Sequence, residues 1–400
     1  MLAPYGAAVL GLALLGGYLG VWGRHYGLDL LVYRDSVSAW LSGADPYLRT
    51  FTASHLSFTY PPFALPALTP LAWGAFRAMQ WVLSAVSVAA AALAVVLVLR
   101  DRGTPVTPRL WCGALGWACA SALLLEPSRS AIDYGQIELV LMALVLVDLL
   151  VVPAPYRGLL TGLCAAVKLT PLVYVLFFAA ERDLRSALRA GLSFAGGGTL
   201  AWLLWPGLSR QYWLHDLANP RRIGGITYAG NQSWYAVLHR APFAGLPHLE
   251  AWWVAVALVM AAVGLLAARW CLRRGERGLA IVAVTLAGLL ASPISWSHHW
   301  VWILLIPPLL TIRPRAAPSR PDRVLLWGLV ALAVLAPYWW FGGGVPADLC
   351  TMVLPLWASA VLVAWSAPQA RHELRLRADP GRRGAGRVPA NEAMTAASRH

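Results

Sequence analysis

The segment GLDLLVYRDSVSAWLSGADPY, residues 27–47, holds Asp29, Asp35 and Asp45 in a chain with only 18 acidic residues. Asp29 alone is flanked by apolar residues on both sides, which would keep it near the edge of an apolar medium. Partial desolvation there raises a carboxyl pKa and makes the carboxylate a better proton acceptor. The bland alternative is a solvated loop acid, or an N-cap for the helical stretch that follows. Asp35 sits beside Arg34 and reads as a surface ion pair, while Asp45, ahead of Pro46, suits a turn.

A second group is SPISWSHHW, residues 292–300, where His298 and His299 lie between Trp296 and Trp300. Interfacial tryptophans are ordinary anchors. The histidine pair is better suited to orienting a carboxylate or donating to a phosphate oxygen than to holding a metal. Adjacent histidines rarely share one ion, and no HxH or HExxH spacing is present. No metal and no other cofactor is therefore expected. A third feature is Lys168, the only lysine of the chain, inside the apolar run LCAAVKLTPLVYV. A charge within such a run marks a functional site unless the side chain snorkels to a surface. The loop 219–240 adds Arg221, Arg222, Asn231 and Gln232, groups suited to phosphate and sugar hydroxyls. Arg129, Asp133, Tyr134 and Gln136 form a further polar turn in residues 126–145.

The elements that must position these groups are membrane helices. Hydrophobic residues make up 59% of the chain, charged residues 12%, and mean hydropathy is +0.60. The apolar residues come in long blocks without a wet face, which excludes a soluble repeat protein. The net charge of +14 does not signal nucleic acid, because 20 of the 32 basic residues fall in short turns between apolar blocks and in the tail. That is the positive-inside pattern. Five scattered cysteines form no disulfide or metal framework. Candidate spans are 4–22, 61–75, 78–99, 110–126, 137–152, 157–181, 188–205, 251–271, 279–292, 300–312, 324–340 and 349–367. Segment 61–75 reads as re-entrant or interfacial, and 157–181 as broken near Thr170-Pro171. An all-α polytopic membrane protein with about 11–12 transmembrane helices is expected, built as one catalytic domain over 1–368. The basic tail 369–400 reads as disordered and cytoplasmic, held near anionic lipid. The two long polar stretches, 23–60 and 206–250, fall on the same outer face, where the chemistry is expected.

Six motifs in order resemble glycosyltransferase family 87: DLLVY (29–33), FTYPPFALPALTP (58–70), YGQIELVLMALVLVDLL (134–150), GLCAAVKLTPL (162–172), GNQSWYAVLHR (230–240) and SPISWSHHW (292–300). The family comprises polyprenol-phosphate-mannose-dependent α-1,2-mannosyltransferases of actinobacteria. The likeness is strongest to the branch that adds the fifth mannose of phosphatidylinositol mannosides, and it covers the membrane region but not the tail. The resemblance implies a GT-C fold in the bacterial plasma membrane with an extracytoplasmic active site. It also implies a polyprenyl-phosphate-mannose donor and a mannolipid acceptor. A catalytic aspartate falls on Asp29, and its histidine partner on either His298 or His299.

On that reading Asp29 takes the acceptor proton, and the histidine pair orients Asp29 or stabilises the departing phosphate. Lys168, Arg221, Arg222, Asn231, Gln232, Tyr60, Arg129, Tyr134 and Gln136 are the expected donor-phosphate and substrate contacts. The rivals are a lipid-linked transporter, or an envelope polysaccharide polymerase or ligase. A transporter favours charges at mid-membrane depth and paired interrupted helices. Only Lys168, Asp148 and Glu138 are candidates for such depth.

Overall fold

The computed structural model describes residues 3–21, 27–312 and 319–378; the side chains of residues 3, 21, 220, 221 and 369–378 fall outside that description. The chain opens with α1 (Ala3–Val21), α2 (Leu28–Leu41), a short hairpin of β1 (Thr50–Phe51) and β2 (Leu56–Ser57), and α3 (Ala64–Ala72). Next come α4 (Phe76–Asp101), α5 (Pro108–Leu124), α6 (Glu126–Tyr134), α7 (Glu138–Leu150), α8 (Leu159–Val167), α9 (Val175–Glu181) and α10 (Leu184–Leu204). The second half holds α11 (Pro206–Arg210), α12 (Trp234–Leu238), α13 (Leu249–Arg273), α14 (Arg277–Ala291), α15 (Ile306–Thr311), α16 (Arg320–Leu335) and α17 (Gly344–Ala378).

The expectation of a helical membrane protein holds, but the helices are shorter than the apolar blocks. Among the described residues four helices are long and apolar enough to cross a bilayer: Phe76–Asp101, Leu249–Arg273, Arg320–Trp339 and Gly344–Pro368. The pair Pro108–Leu124 and Glu126–Tyr134, bent by 85°, makes a fifth if taken together. Pro4–Gly20, Thr170–Glu181 and Arg277–Ala291 are apolar but shorter. Of the expected eleven or twelve spans, several of them short, four or five pass as crossings by length and composition among the described residues. The breaks have local causes. The expected span 157–181 ends as an α-helix at Val167, and a 3-10 turn over Thr170–Tyr174 surrounds Pro171, which has no amide donor. Residues 297–305 run as a 3-10 helix rather than as the start of a straight span. Segment 61–75 yields only the nine-residue α3. Helix α17 continues to Ala378, past the expected boundary at 368, while residues 379–400 of the tail lie outside the described residues.

Helices α4, α7 and α14 and the segment 297–310 form the interior; nearly every side chain of α14 from Gly278 to Leu290 is buried. Helix α13 packs on α14 and α17, α1 on α5, and α8 on α10. The last contact is close enough that a Cβ on Gly162 would stand 2.3 Å from the Ala190 carbonyl oxygen, so only glycine fits. The carboxylate of Asp148 accepts from the Gly158 and Thr161 amides and from the Thr161 hydroxyl at the start of α8. It holds a helix N-terminus, so it is not a transport group. At that same end Arg277 donates to Glu181 (2.9 Å), Asp101 (3.0 Å) and the Leu149 carbonyl (2.9 Å), tying four helices together. Arg102 pairs with Glu276, and Arg157 with Glu181 and Asp183, in the same layer.

Candidate active site

At the other end of the helices, the polar segments converge on one cleft of ≈ 910 Å³. Its walls come from α2, residues 54–61, the α6–α7 turn, the break after α8, residues 212–235 and residues 292–299. Asp29, Tyr60, Tyr134, Gln136, Lys168, Arg222, His298 and His299 all reach it. The loops expected to share a face therefore do so.

Asp29 sits in the first turn of α2, where Gly27 rather than the aspartate is the N-cap. The Gly27 amide donates to the Asp133 carbonyl at 2.6 Å. Gly135 ends α6 with φ 71°, in the left-handed region, and a Cβ there would come 2.7 Å from that of Leu30. Helix α2 therefore seats against the α6–α7 turn, and Gln136 on that turn donates from Nε2 to Asp29 Oδ2 at 2.6 Å. Burial lifts the Asp29 carboxyl from the usual range to about 7; the Gln136 donor pulls it down, the Glu138 charge pushes it up and Lys168 pulls it down. That value suits a general base near neutral pH.

Gln136 Oε1 faces Tyr33 Oη at 2.6 Å, Tyr60 Oη at 3.0 Å and Lys168 Nζ at 3.3 Å. The two tyrosine hydroxyls are also 2.6 Å apart. Lys168 is buried and does not snorkel to a surface: it pairs with Glu138 and stands 4.9 Å from the centre of the Tyr60 ring. His299 Nε2 is 3.4 Å, and His298 Nε2 3.9 Å, from the same Glu138 oxygen. Burial and the neighbouring Lys168 hold both imidazoles well below their ordinary pKa, so both are neutral. His298 Nε2, His299 Nδ1 and Glu138 Oε2 are buried without a hydrogen-bond partner. The direct partner of Asp29 is thus Gln136, and the carboxylate nearest both imidazoles is that of Glu138. Glu138, His298 and His299 could together present metal-ligand atoms, all within 4.8 Å of one another. The Lys168 ammonium already pairs with that carboxylate, so a cation entering the set would meet a buried positive charge.

The rest of the expected contacts divide. Tyr134 stands edge-on to His298, with ring centres 5.7 Å apart. Arg222 reaches the cleft but is paired with Asp216 and donates to the Tyr47 carbonyl. The side chain of Arg221 lies outside the described residues. Arg129 does not line the cleft, and its guanidinium lies 3.4 Å from the Leu123 carbonyl. Asn231 and Gln232 are fully buried and hold the histidine loop rather than the cleft. Asn231 Oδ1 accepts from the Ser295 backbone N–H at 2.9 Å, Asn231 Nδ2 donates to the Ile226 and Pro293 carbonyls, the Gln232 backbone N–H donates to the Ser295 carbonyl, and Gln232 Nε2 donates to the Ala229 carbonyl. Asn231-Gln232-Ser233 matches an N-glycosylation sequon, but the burial of Asn231 closes it to modification. Arg34 donates to the Leu71 and Gly74 carbonyls instead of pairing with Asp35, whereas Asp45 caps a 3-10 turn as expected.

Three contributors were not among the expected site residues. Glu138 was visible only as a candidate for mid-membrane depth. Tyr33 gave no signal beyond its place in DLLVY. Glu126 is buried, and its carboxylate accepts from Ser130, Ser297, Tyr338 and Trp339, so it anchors the residue next to His298.

The model of glycosyltransferase family 87 matches residues 58–293. A polyprenol-phosphate-mannose-dependent alpha-(1-2)-phosphatidylinositol mannoside mannosyltransferase of Mycobacterium tuberculosis is 38% identical over 310 residues, 72% of this chain and 70% of the relative. The chain belongs to glycosyltransferase family 87. A Mycolicibacterium smegmatis protein of the same name is 35% identical over 73% of this chain and 72% of its own length. A pentamannoside mannosyltransferase of that organism is 36% identical over 71% of this chain and 68% of its own length. No solved structure matches the chain. The family match is to a membrane glycosyltransferase, which removes the transporter from consideration. It stops short of Asp29 on one side and of the two histidines on the other.

Proposed function

We propose that this family 87 glycosyltransferase moves mannose from a polyprenyl-phosphate-mannose donor to a mannolipid of the phosphatidylinositol mannoside class, forming an α-1,2 linkage. The observation that carries the mechanism is the placing of a raised-pKa carboxylate, Asp29, beside a neutralising lysine and two neutral imidazoles in one cleft. The acceptor hydroxyl loses its proton to Asp29 as its oxygen bonds to the anomeric carbon. The bond from that carbon to the donor phosphate breaks, and the phosphate leaves as an anion that needs no strong acid. Lys168, with His298 and His299 as hydrogen-bond donors, receives the developing charge. A single displacement inverts the anomeric centre through an oxocarbenium-like state.

The cleft opens on the extracytoplasmic face of a bacterial plasma membrane. This rests on the basic turns, which gather at the opposite end of the helices. The test is mannosyl transfer in native membranes from labelled polyprenyl-phosphate-mannose, with linkage analysis of the product. Asp29→Asn and Lys168→Met are expected to cut transfer by at least ~10²-fold and Asp35→Asn to leave it intact. Absence of a new α-1,2 mannose with wild type would end the proposal. Ala53→Cys, on an exposed turn beside the cleft, should react with a membrane-impermeant maleimide in whole cells; protection there would reverse the orientation.

A further inference from the structure

Gln136 is buried at the centre of the site, and both ends of its amide are engaged. Carboxamides at a sugar site ordinarily bind hydroxyls, and the sequence alone places Gln136 among the substrate contacts. The geometry points elsewhere. An amide can turn end for end, and only its neighbours decide which end faces which. Here the decision is made by chemistry. Lys168 has hydrogens to give and no lone pair to accept with, so the amide end toward it, 3.3 Å away, must be the oxygen. Tyr33 and Tyr60 crowd the same oxygen, one hydroxyl donating to the other and the remaining hydrogen going to Oε1. The N–H end is thereby aimed at Asp29, a donor 2.6 Å from Oδ2. With those neighbours around Oε1, the carbonyl has no room for a sugar hydroxyl.

Resting on the mannosyl-transfer reading above, we infer that Gln136 is a positioning residue: its amide holds the Asp29 carboxylate in place for the acceptor hydroxyl, and Tyr33, Tyr60 and Lys168 act through it by fixing which end of the amide Asp29 meets. The arrangement spans α2, the residues before α3, the α6–α7 turn and the break after α8. Four separate pieces of chain therefore set the orientation of one base. A hydrogen bond to the ionised form favours that form. The remaining charged and titratable groups of this neighbourhood are Glu138 on α7, Lys168 after α8, Tyr33 on α2, Tyr60, and the neutral His298 and His299.

The experiment reads the Asp29 carboxyl stretch by infrared titration of the full-length protein in lipid nanodiscs, with the band assigned by its loss in Asp29→Asn. Gln136→Met keeps the side-chain length and removes both ends of the amide. Its Asp29 midpoint is expected about one pH unit above that of wild type, from loss of one charge-assisted hydrogen bond. The acid limb of the pH–rate profile should move with it and the donor KM should hold. Tyr33→Phe, which leaves Gln136 in place, is expected to give a smaller shift in the same direction, and it carries the test if the Met variant does not fold. An unmoved midpoint in either variant overturns the inference, as does a change confined to KM with the pH limb in place. The infrared midpoint needs no substrate, so a wild-type enzyme that transfers no mannose would refute the mannosyl reading separately.

Discussion

His299 Nε2 lies 3.4 Å from Glu138 Oε1. The same carboxylate is held by the Lys168 ammonium, so a divalent cation entering among Glu138, His298 and His299 would have to displace a buried positive charge. Like charges at such separations repel strongly where water is excluded. Mannosyl transfer is therefore expected to survive EDTA with less than a twofold change, measured in washed membranes. A loss restored by one divalent ion would show that Lys168 releases Glu138 during turnover.

The pH dependence follows from Asp29. Its folded-state pKa is raised to about 7, so the base is protonated below that value and free above it. Activity should rise with pH through about 7, with a slope of one proton. The other side of the linkage has the opposite sign. A raised carboxyl pKa penalises the folded state only once the group ionises, so the penalty is absent below the unfolded value and full above about pH 7. Asp29→Asn should cost ~10²–10⁴ in kcat and yet raise Tm at pH 8, with no gain at pH 4. Thermal unfolding at the two pH values checks the second half.

Asn231→Ala is expected to act on the fold of the histidine loop, not on affinity. The substitution leaves the Ser295 amide without its buried acceptor, at a cost of about 1–3 kcal/mol. Melting temperature and kcat should fall while donor KM stays constant. A raised KM with unchanged Tm would restore Asn231 as a sugar contact.

Gly162→Leu should prevent assembly of the helix pair α8–α10, since even a Cβ meets backbone there at 2.3 Å. Backbone cannot rotate aside as a side chain can, and overpacking of this kind costs about 1–3 kcal/mol or more. The expected readout is loss of monodisperse protein in detergent; a normal elution profile with wild-type Tm would contradict the packing.

The sequence carried the parts of this molecule that depend on solvent and charge. Apolar blocks and basic turns marked a membrane protein and the end at which its loops gather, because transfer energies and lipid charge act residue by residue. Asp29, Lys168 and the histidines were visible as polar groups in apolar company. The interruption at Thr170-Pro171 was legible from proline alone. Helix length was not, because nothing in a run of Leu, Ala and Val says where a 3-10 segment such as 297–305 replaces a straight crossing. Nor was the division of labour among the polar residues. Asn231 and Gln232 have the chemistry of sugar ligands, and only their burial against Pro293 and Ser295 assigns them to scaffolding. Glu138 was no more than a candidate for mid-membrane depth until the fold brought Lys168 and both histidines to it.

Helix α14 begins at Arg277, which grips three neighbouring helices, and ends at Ala291, one residue before the histidine loop. Its 15 residues span roughly 22 Å. One end of the bundle is thus riveted while the other carries loops, short helices and the open cleft. A substrate enters through that looser end, and any motion that admits it is expected there, with the Arg277 contacts as its fixed point.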